Sequence, residues 1–160
     1  MPTTSPLTIP ALPVPHRKQE QASDCLAACA AMVLAYLGRP TDYAHLLNVL
    51  DIGPLGTLRR NVLRLTRLGL DVIYREATLA IVAEYLQAGR PVIAFVDTAE
   101  LAYWKTATNH AVVILGLDSE HVIINDPAFD TTPHYIPREE FELAWLNCDN
   151  ACAIVSFANA

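Results

Sequence analysis

The chain has 160 residues, 52% of them hydrophobic, and a formal net charge of -6. That length predicts one domain with a substantial core, and the negative charge leaves no global attraction for a phosphate backbone. The only arginine-rich stretch, Arg59, Arg60, Arg64 and Arg67, reads as the exposed face of one helix, so no nucleic-acid partner is expected.

Residues 1–13 read as a flexible Pro-rich tail, and 14–160 as a single domain. A sheet-edge contact is compatible with Pro13-Val14-Pro15. The first helix is expected over Cys25–Leu37, a run without Gly or Pro, with Asp24 as its N-cap and Gly38 and Pro40 as its stop. It is apolar all round, which predicts central burial. Thr41 or Asp42 caps a second helix, Tyr43–Leu50, and Ile52 to Gly56 is a turn. Thr57 caps a third helix, Leu58–Leu68, closed by Gly69; Leu70–Tyr74 alternates as a strand. Thr78 caps a fourth helix, Leu79–Ala88, and Pro91–Asp97 is a short buried strand. After an aromatic loop come the strands His110–Leu117 and His121–Asp126, joined as a hairpin. A strand at His134–Ile136, a helix at Arg138–Leu146 and a strand at Ala151–Phe157 close the chain. Helices gather in the first half and strands in the second, which predicts an α+β fold with N-terminal helices packed on a C-terminal antiparallel sheet.

No apolar run reaches bilayer length, and the N-terminus lacks the charged start of a signal peptide. Four cysteines are too few for a disulfide scaffold. A soluble cytoplasmic protein is expected, with no cofactor and no metal site.

Cys25 stands where a loop becomes a helix, so its thiol sits at the positive end of the backbone dipole, which favours negative charge. A catalytic thiol needs a base, and the base needs an orienting partner. Of the five histidines, His110 follows an aromatic loop and opens a strong apolar strand, at the rim of the sheet. Hairpin parity then tests Asp126 as its partner. A regular two-residue turn at Ser119-Glu120 puts Asp126 on the face opposite His110. An odd loop, or a β-bulge, puts both on one face and sends Asn125 to the other. The N–H of Cys25 is one oxyanion donor, and a side-chain amide upstream, Gln19 or Gln21, is the second.

Gln19, four residues, then Asp24-Cys25 resembles the start of the bacteriocin-processing, double-glycine leader peptidases, which are papain-like cysteine peptidases. The likeness continues in His110-Ala111-Val112-Val113 and in Val122 to Ala128, and it runs from about Val14 to Phe157. It implies a papain-like fold, with Cys25 as nucleophile, His110 as general base and acid, Asp126 as its orienter and Gln19 in the oxyanion hole. It also implies a peptide or protein substrate cut after small residues such as Gly-Gly. Tyr103 and Trp104, just before His110, are expected to bind substrate as walls of the cleft. Leu26 stands where the family usually has Gly. The membrane spans and ATPase of its well-known members are not found in these 160 residues, so no secretion role is carried over. A partner protein or transporter encoded separately is compatible with the reading. Two alternatives stay open from sequence: a thiol acyltransferase or transpeptidase on the same fold, and a non-catalytic peptide-binding module.

Overall fold

A computed structural model of the protein describes residues 8–158. The elements follow in the order α1 (Cys25–Tyr36), α2 (Tyr43–Val49), a 3-10 helix (Arg59–Leu68), β1 (Leu70–Glu76), α3 (Leu79–Gln87), β2 (Val92–Asp97), β3 (Asn109–Leu117), β4 (His121–Asn125), β5 (His134–Pro137), α4 (Arg138–Leu146) and β6 (Ala151–Phe157), with one 3-10 turn at Thr98–Glu100. The six strands form one antiparallel sheet in the order β1-β6-β2-β3-β4-β5. The fold is α+β, but the expected division into an N-terminal helical half and a C-terminal sheet is not found. Helices are interspersed, and β1 from the first half forms a sheet edge. The reason lies in the strands: Val92 to Val96 is apolar at every position and buried throughout, so the sheet needs cover on both faces. Ile93, Phe95, Val113 and Val155 pack with α1 and α2. Val92, Ala94, Val112, Ile114 and Ile154 pack with α3 and α4.

The all-apolar α1 is the central helix, with Leu26 to Ala30 and Met32 to Leu34 buried. Its alanines bring the helix close to the sheet. It stops at Gly38, whose φ of 78° is left-handed, with Arg39 N–H returning to Leu34 O at 2.9 Å. Asp42, not Thr41, caps α2 by accepting from His45 N–H. The third helix is 3-10 rather than α, and Thr57 does not cap it; the Thr57 hydroxyl donates to Leu50 O at 2.9 Å. Its inward residues Val62, Leu65 and Leu68 recur every third position, the period of a 3-10 turn.

The β3–β4 hairpin has the two-residue turn and also a bulge. Leu117 pairs with Val122 and Gly116 with Ile123, but Ile114 pairs with Ile124 and Val113 with Asn125, so the register shifts between Ile114 and Gly116. Continued one residue, that register sets Asp126 opposite Val112, on the face of His110.

An N-terminal segment straps this bulge. Ile9 and Leu117 exchange backbone hydrogen bonds of 2.8 and 3.0 Å, and Leu12 N–H donates to Leu115 O at 3.0 Å. Val14 O accepts from Asn125 Nδ2 at 3.2 Å. Gly116 allows the crossing, because a Cβ there would lie 2.5 Å from Ile9 O. Of the tail expected over 1–13, residues 1–7 lie outside the described residues. No helix among those described is long and apolar enough to cross a membrane.

Candidate active site

Cys25 is the first residue of α1 and is half-buried. As a first-turn residue its N–H has no intrahelical acceptor. Asp24 does not cap the helix with its side chain, as the sequence suggests. Its buried carboxylate turns back and accepts from Gln21 N–H at 3.2 Å, which folds the preceding loop. Tyr43 packs beneath, with its hydroxyl donating to Asp24 O at 3.4 Å and the Arg17 guanidinium 4.2 Å over its ring. Burial, then the charge of Asp24, pushes the Tyr43 hydroxyl up.

His110 is the second residue of β3 and pairs with Val96 of β2. Its Nε2 is 2.7 Å from Asp126 Oδ1, with Asp126 fully buried. Cys25 lies near enough to act on the ring, and with Nε2 engaged by Asp126 the free nitrogen is Nδ1. Burial pulls the imidazole down, but the hydrogen bond to Asp126 and the neighbouring Cys25, with the charges of both, outweigh it and carry His110 up to about 9. Burial likewise opposes charge on Asp126, yet the donors from His110, Tyr103 and Ala128 keep its carboxyl below the usual range.

Tyr103 and Trp104 come to the same carboxylate. The Tyr103 hydroxyl donates to Asp126 Oδ2 at 2.7 Å and Trp104 Nε1 at 2.9 Å. The Trp104 ring stands edge-on to His110, with centroids 4.6 Å apart. These aromatics lie behind His110 and are not among the residues lining the groove. Sequence spacing suggests a wall because both precede His110, but the loop folds them back onto the Asp126 side.

Gln19 lies in the loop that ends at Cys25. Its backbone N–H donates to Pro127 O at 2.8 Å, tying that loop to the residue after Asp126. Its side-chain Nε2 donates to Gln21 O at 2.8 Å. His16 Nε2 bonds Phe129 O at 2.6 Å in the same lacing.

Cys25 and His110 open into a groove of about 600 Å³, lined by Ala22, Ser23, Leu26, Leu55 to Arg59, Phe95, Thr108, Asn109, Ala111 and Cys148. Leu26, the residue after Cys25, is thus part of the lining. Leu55 and Leu58 stand exposed at its rim. Arg59 bridges two of its walls, donating to Cys148 O at 2.8 Å and to Asp149 Oδ2 at 2.5 Å. Sequence reasoning missed the wall made by Asn109 and Cys148, whose side chains meet at 3.7 Å across 39 positions; no local signal marks such a pairing. The Leu55 rim had one faint signal, an apolar residue inside a Gly-Pro turn.

All four cysteines are free thiols. Burial pushes Cys29 well up, helped by the charges of Cys25 and Asp126, and carries Cys152 up to about 11. Among the described residues no group of three or more His, Cys, Asp or Glu side chains is arranged to hold a metal ion.

A model of the Peptidase_C39 like family matches residues 11–153. Among solved structures, a Bacillus anthracis protein described as C39-like superposes with a TM-score of 0.79 at 18% identity, covering 96% of this chain and 100% of its own. The peptidase domain of Streptococcus ComA, a bi-functional ABC transporter involved in quorum sensing, gives 0.73 at 20% identity, covering 89% and 97%. A double glycine motif protease from an AMS/PCAT transporter, in complex with the leader peptide, gives 0.69 at 27% identity, covering 98% and 100%. No curated protein matches the chain significantly.

Proposed function

Because the chain belongs to the Peptidase_C39 like family, we propose that this cysteine peptidase cuts polypeptides through an acyl-enzyme on Cys25, with a Cys25-His110-Asp126 triad on a papain-like arrangement of α1 and sheet. The observation that carries the reading is the buried 2.7 Å contact between His110 Nε2 and Asp126. It leaves the other ring nitrogen for Cys25, where the groove opens.

The chemistry follows from those contacts. With its proton already held by His110, the Cys25 sulfur attacks the scissile carbonyl. The oxyanion forms beside the Cys25 N–H. Gln19 Nε2 supplies the second donor, since the amide carries two hydrogens and only one is engaged with Gln21 O among the described residues. His110 then protonates the leaving amine, and later activates the water that releases the acyl group. Asp126 holds the ring in one orientation throughout. Gln19→Ala is expected to lower kcat by about 10²-fold with KM nearly unchanged, the usual cost of one oxyanion donor. A change confined to KM in steady-state kinetics places Gln19 in substrate binding instead.

The substrate is proposed to carry small residues before the cut, as a double-glycine end does. The relative solved with a leader peptide is a double glycine motif protease, and here Leu26, Phe95 and Cys148 occupy space beside Cys25 in the groove. Peptides ending in Gly-Gly or Gly-Ala are expected to be cut at least about 10²-fold faster than peptides with Leu or Phe at the cut. Product mass reads both rate and acceptor: a free carboxylate marks water, an amide or thioester marks acyl transfer. Equal rates on bulky residues overturn the small-residue reading.

A further inference from the structure

A carboxylate that orients a histidine must keep one oxygen on the ring and must not rotate. Asp126 meets that need with four donors. Oδ1 takes His110 Nε2 at 2.7 Å and Ala128 N–H at 2.9 Å. Oδ2 takes the Tyr103 hydroxyl at 2.7 Å and Trp104 Nε1 at 2.9 Å. Turning the carboxylate would break contacts on both oxygens of a fully buried group, where unmet charge is costly.

Resting on the triad assignment above, we propose that Tyr103 is a positioning residue of the cleavage reaction, acting through Asp126 and not through the substrate. Its ring is fixed by neighbours that have no part in the groove. His134 of β5 stacks on it at 4.7 Å with planes 20° apart, and Phe129 tilts against it at 5.2 Å. The turn that carries it is closed by Trp104 N–H to Leu101 O at 3.0 Å and by Ala102 N–H to the Glu140 carboxylate of α4. The hydroxyl therefore arrives at Oδ2 from a rigid platform. It also stays protonated, because burial and then the Asp126 charge push it far up, so it donates at every pH the protein meets.

The titratable groups near Asp126 are His110 from β3, Tyr103 from the loop after β2, Cys29 from α1, and His134 from β5 with His16 behind it. Of these, Tyr103 and His110 bond the carboxylate. Removing the Tyr103 donor lets Asp126 take a proton at higher pH than before.

The test compares Tyr103→Phe, Asp126→Asn and the double variant on a Gly-Gly peptide. Phe keeps the ring stack and loses only the hydroxyl. Tyr103→Phe is expected to lower kcat about tenfold with KM unchanged, as a lost hydrogen bond to a charged group does. The acid limb of kcat/KM moves to higher pH. In the Asp126→Asn background the same substitution costs less than about twofold, because its target is already altered. Trp104→Phe, which removes the other donor on Oδ2, moves the acid limb the same way and guards against a fold defect in the first variant. An acid limb unmoved in both variants overturns the inference, as does an equal loss in both backgrounds. Cleavage that survives Cys25→Ala overturns the triad assignment beneath it.

Discussion

Cys25→Ala is expected to reduce cleavage by at least about 10⁴-fold, the scale of removing a nucleophile from a working triad. Cys29→Ala, one helical turn further on, should stay within about tenfold of the parent. Both are thiols of α1, so the contrast rests on environment. Cys29 is fully buried and its thiol is pushed well up by burial and by the charges beside it; a protonated, enclosed sulfur is a packing atom. Cys25 is half-buried and lines the groove together with His110. Intact mass after a thiol-directed acylating probe reads the same contrast without a substrate. One adduct forms on the parent and on Cys29→Ala, and none on Cys25→Ala. Labelling that persists in Cys25→Ala and disappears in Cys29→Ala would sink the assignment.

Asp126→Asn is expected to lower kcat by about 10⁴-fold, what an amide in this position costs a serine-protease triad. It should also move the alkaline limb of the pH profile. His110 holds its proton up to about 9 because the hydrogen bond to Asp126, with the contributions of Cys25, overcomes burial. The protonated ring is the acid for the leaving amine, so activity is present below that value and is lost as pH rises through it. Without the carboxylate, burial prevails over what remains, and the limb shifts to lower pH. A limb that stays near pH 9 in the variant would mean that Asp126 does not set the state of His110. Steady-state profiles of the two proteins between pH 5 and 10 decide this.

How much of this was legible from sequence depends on the range of the interaction. Local rules read α1 to within one residue at its C-terminal end, because an uninterrupted apolar run and Gly38 settle it. They read β3 and β4 as a hairpin for the same reason. The 3-10 helix at Arg59–Leu68 reads from sequence only as a helix, because every residue in it tolerates both α and 3-10 turns. Only the threefold recurrence of Val62, Leu65 and Leu68 separates them, and it shows its meaning once the packing partner is known. Asp24 reads as a cap from its position alone, but Gln21 N–H competes for the carboxylate and wins. The order β1-β6-β2 joins segments far apart in the chain, and no local pattern encodes that. The candidate site shows the same division. Residue type and strand parity mark Cys25, His110 and Asp126. Tyr103 and Trp104 stand out beside His110 in the sequence, but their direction depends on how one loop folds over β3.

The bulge at the base of the hairpin has a consequence for how this chain tolerates change in length. A strand alternates its faces with a period of two, so it has a phase, as a coding sequence has a frame. The extra residue beside Ile114 is a frame shift that brings Asp126 onto the face of His110, and Asn125 onto the other. Adding or removing two residues at the Ser119-Glu120 tip preserves that phase. A single insertion taken up by one strand, with the two-residue turn kept, exchanges the faces of Asn125 and Asp126, with neither residue altered. Among chains that share this hairpin, length differences at the tip should therefore come in pairs. An odd difference should travel with a gained or lost bulge, and with it a changed need for glycine where the N-terminal strap crosses at Gly116.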